Sequence, residues 1–86
     1  MPTYFIRTPL PLDATVRAVF AQHHAEKTGN QLAVMTNTAG TECLVKVNCD
    51  HPIGEVLPDG FVPTQVIDDI DEARALLESA PWSAAR

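Results

Sequence analysis

The chain has 86 residues, 45% of them hydrophobic and 20% charged, which is an ordinary composition for a globular protein. This length supports one hydrophobic core, so we expect a single domain over residues 1–86. The net charge of −5, without a Lys/Arg cluster, excludes the basic surface that nucleic acids and anionic membranes require of their partners. No apolar run is long enough to span a bilayer and no secretory signal is visible, so we expect a cytoplasmic protein.

The acidic excess lies in one half of the chain. Residues 44–86 carry eight Asp or Glu and three Lys or Arg, whereas residues 1–43 carry three of each. This asymmetry permits a basic protein partner and also favours solubility.

A strand and a helix are the first predicted elements. Residues 4–8 are rich in β-formers and are followed by prolines, which is typical of a strand. Asp13 is placed to cap a helix whose end is marked by Gly29. Small residues recur on the side of this helix away from its apolar face: Ala14, Ala18, Ala21 and Ala25. They indicate either close approach of another backbone or plain helix propensity.

A hairpin follows the helix. Residues 31–36 and 41–49 flank turn-forming residues, and the second run alternates apolar and polar side chains except at Leu44. This pattern predicts two antiparallel strands with one buried face.

The last third is predicted to hold an irregular segment, a short strand and a second helix. Residues 50–63 are rich in Pro and Gly, a short strand is expected at 64–67, and Asp69 caps an amphipathic helix that ends before Pro81. We therefore predict an α+β fold, with an antiparallel sheet of three to four strands and two helices packed on one face, in the order β-α-β-β-(β)-α.

Candidate chemical groups are few. Cys43 and Cys49 lie on one predicted strand, about 20 Å apart, which is too far for a disulfide and predicts free, buried thiols. Cys49 and His51, with His23, form the densest set of potential metal ligands, although Cys-x-x-Cys spacing is lacking. The same residues provide a candidate nucleophile pair, in which His51 or His24 activates Cys49.

The other titratable groups have structural interpretations. His23 falls at the centre of the apolar helix face and is predicted to be a buried residue bonded to a backbone carbonyl, whereas His24 is expected at the solvated flank. The acids of residues 68–72 are predicted to stabilise a helix N-terminus, with a catalytic or cation-binding role as the alternative.

Two local resemblances to known families are present. The start of the chain resembles the opening of the tautomerase superfamily, with the run Met1-Pro2-Thr3-Tyr4-Phe5-Ile6 before a helix. This resemblance covers about the first third of the chain and implies a Pro2 nitrogen that acts as a general base after removal of Met1. The sequence departs from that family because paired basic residues and a recognisable second β-α-β half are lacking.

The C-terminal helix carries the second resemblance. It is similar to the second helix of dimeric ferredoxin-like barrels, over the run Asp71-Glu72-Ala73-Arg74-Ala75-Leu76-Leu77 and the ending Ala80-Pro81-Trp82. No closing strand is expected after it, because the chain ends at Arg86.

We expect a small non-enzymatic binding or regulatory module that acts through protein–protein contact and uses no cofactor. Ala18 and Trp82 are the candidate interface residues of a homodimer, since small side chains permit close helix approach and aromatic residues are enriched at interfaces. The alternative is a small oligomeric enzyme or small-molecule binder, of tautomerase type with Pro2 or of ferredoxin-like barrel type. A deep polar pocket at a subunit interface, with Pro2 or His51, indicates the enzyme, and a flat exposed apolar or acidic patch without a pocket indicates the binding module.

Overall fold

A single antiparallel sheet organises the fold in the computed structural model, which describes residues 3–79 and 81–84. The elements in chain order are β1 (Thr3–Pro9), α1 (Ala14–Thr28), β2 (Ala33–Asn37), β3 (Glu42–Asn48), α2 (Ile53–Val56), β4 (Gln65–Ile67), α3 (Ile70–Ser79) and β5 (Trp82–Ala84). The strand order is β4-β1-β3-β2-β5, and every neighbouring pair is antiparallel. The predicted α+β class with an antiparallel sheet is therefore confirmed.

The ends of α1 are set by its flanking residues, as predicted. The Asp13 carboxylate accepts hydrogen bonds from the backbone N–H groups of Thr15 and Val16, which would otherwise lack partners in the first turn. At the other end, Gly29 has a φ of 72° and donates its N–H to the carbonyl of Ala25. Glycine adopts this left-handed conformation without the steric penalty that a Cβ would bring.

The two long strands β1 and β3 form the centre of the sheet. They pair over their full lengths, from Thr3 opposite Asn48 to Pro9 opposite Glu42. The hairpin of β2 and β3 is confirmed, with Val34 opposite Val45. The chain thus passes from β1 through α1 to β2, and β3 fills the gap between these two strands.

The helices pack on both faces of the sheet, and the prediction of two helices on one face is wrong. Successive strand residues point to opposite faces of the sheet, so the neighbours Phe5 and Ile6 lie in two different core clusters. Ile6 packs in one cluster with Phe20 of α1, and Phe5 packs in another with Ala73 of α3. Leu44, the exception to the alternation of β3, is fully buried in the second cluster. An apolar residue at this position, where the alternation calls for a polar one, indicates that β3 is covered on both faces.

Two elements were missing from the prediction. β5 follows α3 and pairs with β2, which gives five strands where three to four were predicted and a closing strand where none was expected. The one-turn helix α2 lies in the segment predicted to be irregular, and it places Ile53 and Val56 on the α1 side of the core. Within the described residues, no helix has the length and apolar character needed to cross a bilayer.

Candidate functional site

The two histidines of α1 occupy environments that are the reverse of the prediction. His24 is only 5% exposed, and its Nδ1 accepts the backbone N–H of Asn48 at 3.2 Å. His23 is half-buried at the edge of the helix. The prediction was wrong because the buried stripe of α1 runs in steps of four residues, through Val16 and Phe20 to His24. The hydrogen bond of His24 therefore connects α1 to the last residue of β3.

His23 instead meets His51 at a small surface cavity. The two ring centroids are 5.9 Å apart and the ring planes lie at 80° to each other. Glu26, Cys49 and Asp50 complete the lining of this cavity, whose volume is about 90 Å³. The predicted set of Cys49, His51 and His23 is thus brought together. Pockets for small ligands usually measure about 300–1,000 Å³, so this cavity within one chain is smaller than a typical ligand pocket.

Neither cysteine is arranged as a nucleophile. Cys43 and Cys49 are both free and both buried, as the sequence predicted. Burial raises the pKa of both thiols, which leaves little of the reactive thiolate at neutral pH. The Cys49 thiol donates its hydrogen bond to the backbone carbonyl of His51 at 3.4 Å, and not to the imidazole that would have to activate it.

The described residues contain no group of three or more His, Cys, Asp or Glu side chains arranged to hold a metal ion. His23, Cys49 and His51 share a cavity without forming a coordination shell. Pro2, the candidate general base, lies outside the described residues.

The two candidate interface residues lie on different parts of the molecule. Ala18 is exposed on α1, and the neighbouring Ala21 and Ala25 line an open groove of about 540 Å³. Trp82 is half-buried in β5 and packs against the core cluster under α3. Its indole N–H is buried without a hydrogen-bond partner among the described residues. A dimer through either position stays a prediction.

A surface that the sequence analysis missed surrounds β4. Among the described residues, three large hydrophobic side chains are exposed: Val62 at 83%, Ile70 at 57% and Val66 at 37%. All three fall within residues 62–70, a segment that includes the approach to β4, β4 itself and the first residue of α3. We call this segment the β4 surface. Val66 stands opposite Ile6 in the register and so lies on the α1 face of the sheet, at its edge.

Acidic side chains surround the β4 surface. Residues 59–72 include no Lys or Arg and five acids, which are Asp59, Asp68, Asp69, Asp71 and Glu72. Some of them have structural roles, since Asp69 accepts the backbone N–H of Asp71 and Glu72 accepts the side-chain amide of Gln65. All five are nevertheless exposed, and Arg7, which stands opposite Gln65 on β1, is paired with Glu42, so the exposed charges of residues 59–72 are all negative.

Comparisons with protein-family models, with curated proteins and with solved structures found no match to this chain. The two local resemblances seen in the sequence remain predictions.

Proposed function

We propose that this protein is a small binding module that acts through protein–protein contact, and that the β4 surface is its contact surface. The observation that supports this most directly is that Val62, Val66 and Ile70, the three large hydrophobic side chains exposed among the described residues, lie within nine residues of the chain. Single exposed apolar residues are common on soluble proteins, but grouped ones at a sheet edge are typical of interaction sites.

The exposed apolar area predicts a modest affinity. Complete burial of a fully exposed Val or Ile contributes about 1.5–3 kcal/mol, and these three side chains are only partly exposed, so their burial contributes about 3–5 kcal/mol in total. Association itself costs about 4–15 kcal/mol in lost freedom of motion. The partner must therefore add polar or charged contacts to form a complex, and a weak, reversible interaction is the expected class.

The enzyme alternative receives less support. Of its candidate groups, Pro2 lies outside the described residues, and the cavity of His23 and His51 is small, with the Cys49 thiol hydrogen-bonded to the backbone and its pKa raised by burial. A contact surface needs neither a cavity nor a reactive group, and it uses the exposed side chains that this fold leaves around β4.

A comparison of two double variants tests the proposal. Val62→Thr with Ile70→Gln removes apolar surface with residues suited to each position. Ala18→Ser with Ala25→Ser changes the exposed face of α1, which holds a candidate dimer residue and is the competing contact surface. Each immobilised protein is incubated with native lysate, and the bound proteins are quantified by mass spectrometry.

We expect a protein that is retained equally by the wild type and the α1 variant, and retained at least about tenfold less by the β4 variant. Circular dichroism establishes that both variants fold. Equal retention by the β4 variant contradicts the proposal. Loss of the partner with the α1 variant alone places the contact on α1.

A further inference from the structure

We infer that the partner's contact element is an extended basic segment that joins the sheet as a sixth strand beside β4. This inference rests on the proposed contact surface and specifies the chemistry of the partner. It follows from three features of the β4 surface: its backbone, its apolar side chains and its surrounding charge.

The backbone of β4 has one side open. In the part of the chain that the structure describes, β4 is the last strand in the sheet order and pairs with β1 alone, through Gln65 to Ile67. Natural proteins protect edge strands by short length, charge or Pro; β4 is only three residues long and Pro63 precedes it by two residues, but no Lys or Pro lies within β4 itself. The other sheet edge, β5, has no exposed large hydrophobic residue among its described side chains, so β4 is the edge that offers both backbone groups and apolar contact.

The side chains of β4 determine which partner residues become buried. Val66 is exposed on the α1 face, while its neighbour Ile67 is already buried under α3. A strand added beside β4 places one residue directly opposite Val66 on the same face, about 5 Å away. An apolar residue at that position of the partner covers Val66, whereas a charged one would be desolvated.

The acids specify both the charge and the direction of the partner. Asp68 and Asp69 directly follow β4, and both are exposed. In an antiparallel arrangement, which matches every other ladder of this sheet and is slightly more stable per residue, partner residues that precede the one opposite Val66 lie beside these acids. The expected partner pattern is therefore two Lys or Arg, one residue of any type, and then an apolar residue.

Synthetic peptides with blocked ends test the pattern. The probe is Arg-Lys-Thr-Val-Thr-Val, and its controls are the reversed sequence and a version that begins with two Glu. Backbone amide shifts of the ¹⁵N-labelled protein give both the site and the affinity. We expect the probe to shift the amides of residues 65–67, to bind at least about fivefold more tightly than the reversed peptide, and to weaken as salt rises from about 50 to about 300 mM. The peptide with two Glu should not bind.

Two further measurements separate strand addition from other modes of docking. Asp68→Asn with Asp69→Asn removes the two charges while Asn keeps the cap on α3, and it should weaken probe binding about threefold to tenfold. In an added strand, alternate peptide N–H groups point towards β4 and the others point away. Methylation of one alternate set of peptide nitrogens should therefore abolish binding, and methylation of the other set should leave it within about twofold of the probe.

The results that overturn this inference differ from those that overturn the proposed function. Equal tolerance of both methylated sets, equal binding in both directions, or no binding of the probe would each overturn strand addition. The proposed function is decided separately, by whether a lysate partner depends on Val62 and Ile70. A partner that depends on these residues, combined with a probe that fails, would retain the contact surface and reject the added strand.

Discussion

Leu44 provides the sharpest test of a core on both faces of the sheet. It is fully buried on β3, in the cluster that includes Phe5, Ile67 and Ala73 of α3. Leu44→Ala removes three carbons, worth about 2.4 kcal/mol in transfer free energy, and the residual cavity raises the expected loss to about 3–4 kcal/mol. A chain of this size has a free energy of unfolding of about 4–13 kcal/mol, so the variant should be marginal, with a Tm lower by about 12–30 °C.

Urea unfolding followed by tryptophan fluorescence measures this loss. Trp82 is the single tryptophan and packs against the same cluster, and far-ultraviolet circular dichroism provides a second probe. Lys46→Ala is the matched control, because Lys46 is exposed on the same face of β3, and its effect should stay within about 0.5 kcal/mol. If Leu44→Ala does not fold, Leu44→Val should still lose about 1 kcal/mol. A loss below about 1 kcal/mol for Leu44→Ala would refute the packing of α3 on this face.

Three other predictions concern thiols, acid stability and assembly. Because Cys43 and Cys49 are buried, they should react with a thiol reagent only in the denatured protein, and because they are free, no reducing agent should be needed. Rapid reaction of the native protein would contradict their burial. The Arg7 guanidinium donates a hydrogen bond to the Glu42 carboxylate and holds the pKa of that carboxyl below its ordinary value of 4.5. The pair therefore stabilises the fold above pH 4.5, and this contribution is lost as the pH falls through the lower pKa of the folded state. The urea midpoint of the wild type should exceed that of Glu42→Gln at neutral pH and converge with it in strong acid, and a constant difference down to about pH 2 would contradict this origin. Sedimentation equilibrium at micromolar concentration should show a dimer that Ala18→Glu dissociates, whereas a wild-type species of 9.3 kDa would exclude the dimer.

The features that the sequence predicted well are governed by local chemistry. Asp13 and Gly29 mark the ends of α1 because a carboxylate satisfies exposed N–H groups and a glycine adopts the left-handed conformation. The hairpin of β2 and β3 follows from turn residues between two β-forming runs. The two free cysteines follow from the extended chain between them: Cys43 lies in β3 and Cys49 directly follows its last residue, so the two side chains cannot approach within bonding distance. None of these inferences required knowledge of distant contacts.

The features that the sequence predicted wrongly depend on contacts between distant segments. His23 and His24 both lie at helical spacing from Val16, and only the packing of α1 against β3 selects His24 for burial. The face covered by α3 depends on its path across the sheet from β4 to β5. Ile70 fits an apolar helix stripe in the sequence, yet it lies at the first residue of α3, beyond the part of the helix that contacts the core. The β4 surface was missed for the same reason.

A second copy of the chain lacks the basic residues that the β4 edge is expected to bind in a partner. Two copies joined antiparallel along β4, with Val66 opposite Val66, would place Asp68 and Asp69 of each molecule beside Thr64 and Pro63 of the other. Neither of these residues carries a positive charge, and Pro63 has no backbone N–H to donate, so such a pair would gain no charge-assisted contact. A strand with the pattern inferred above supplies two Lys or Arg at the same positions. Charge therefore favours the basic strand over a second copy of the chain, and this preference should fall as salt rises.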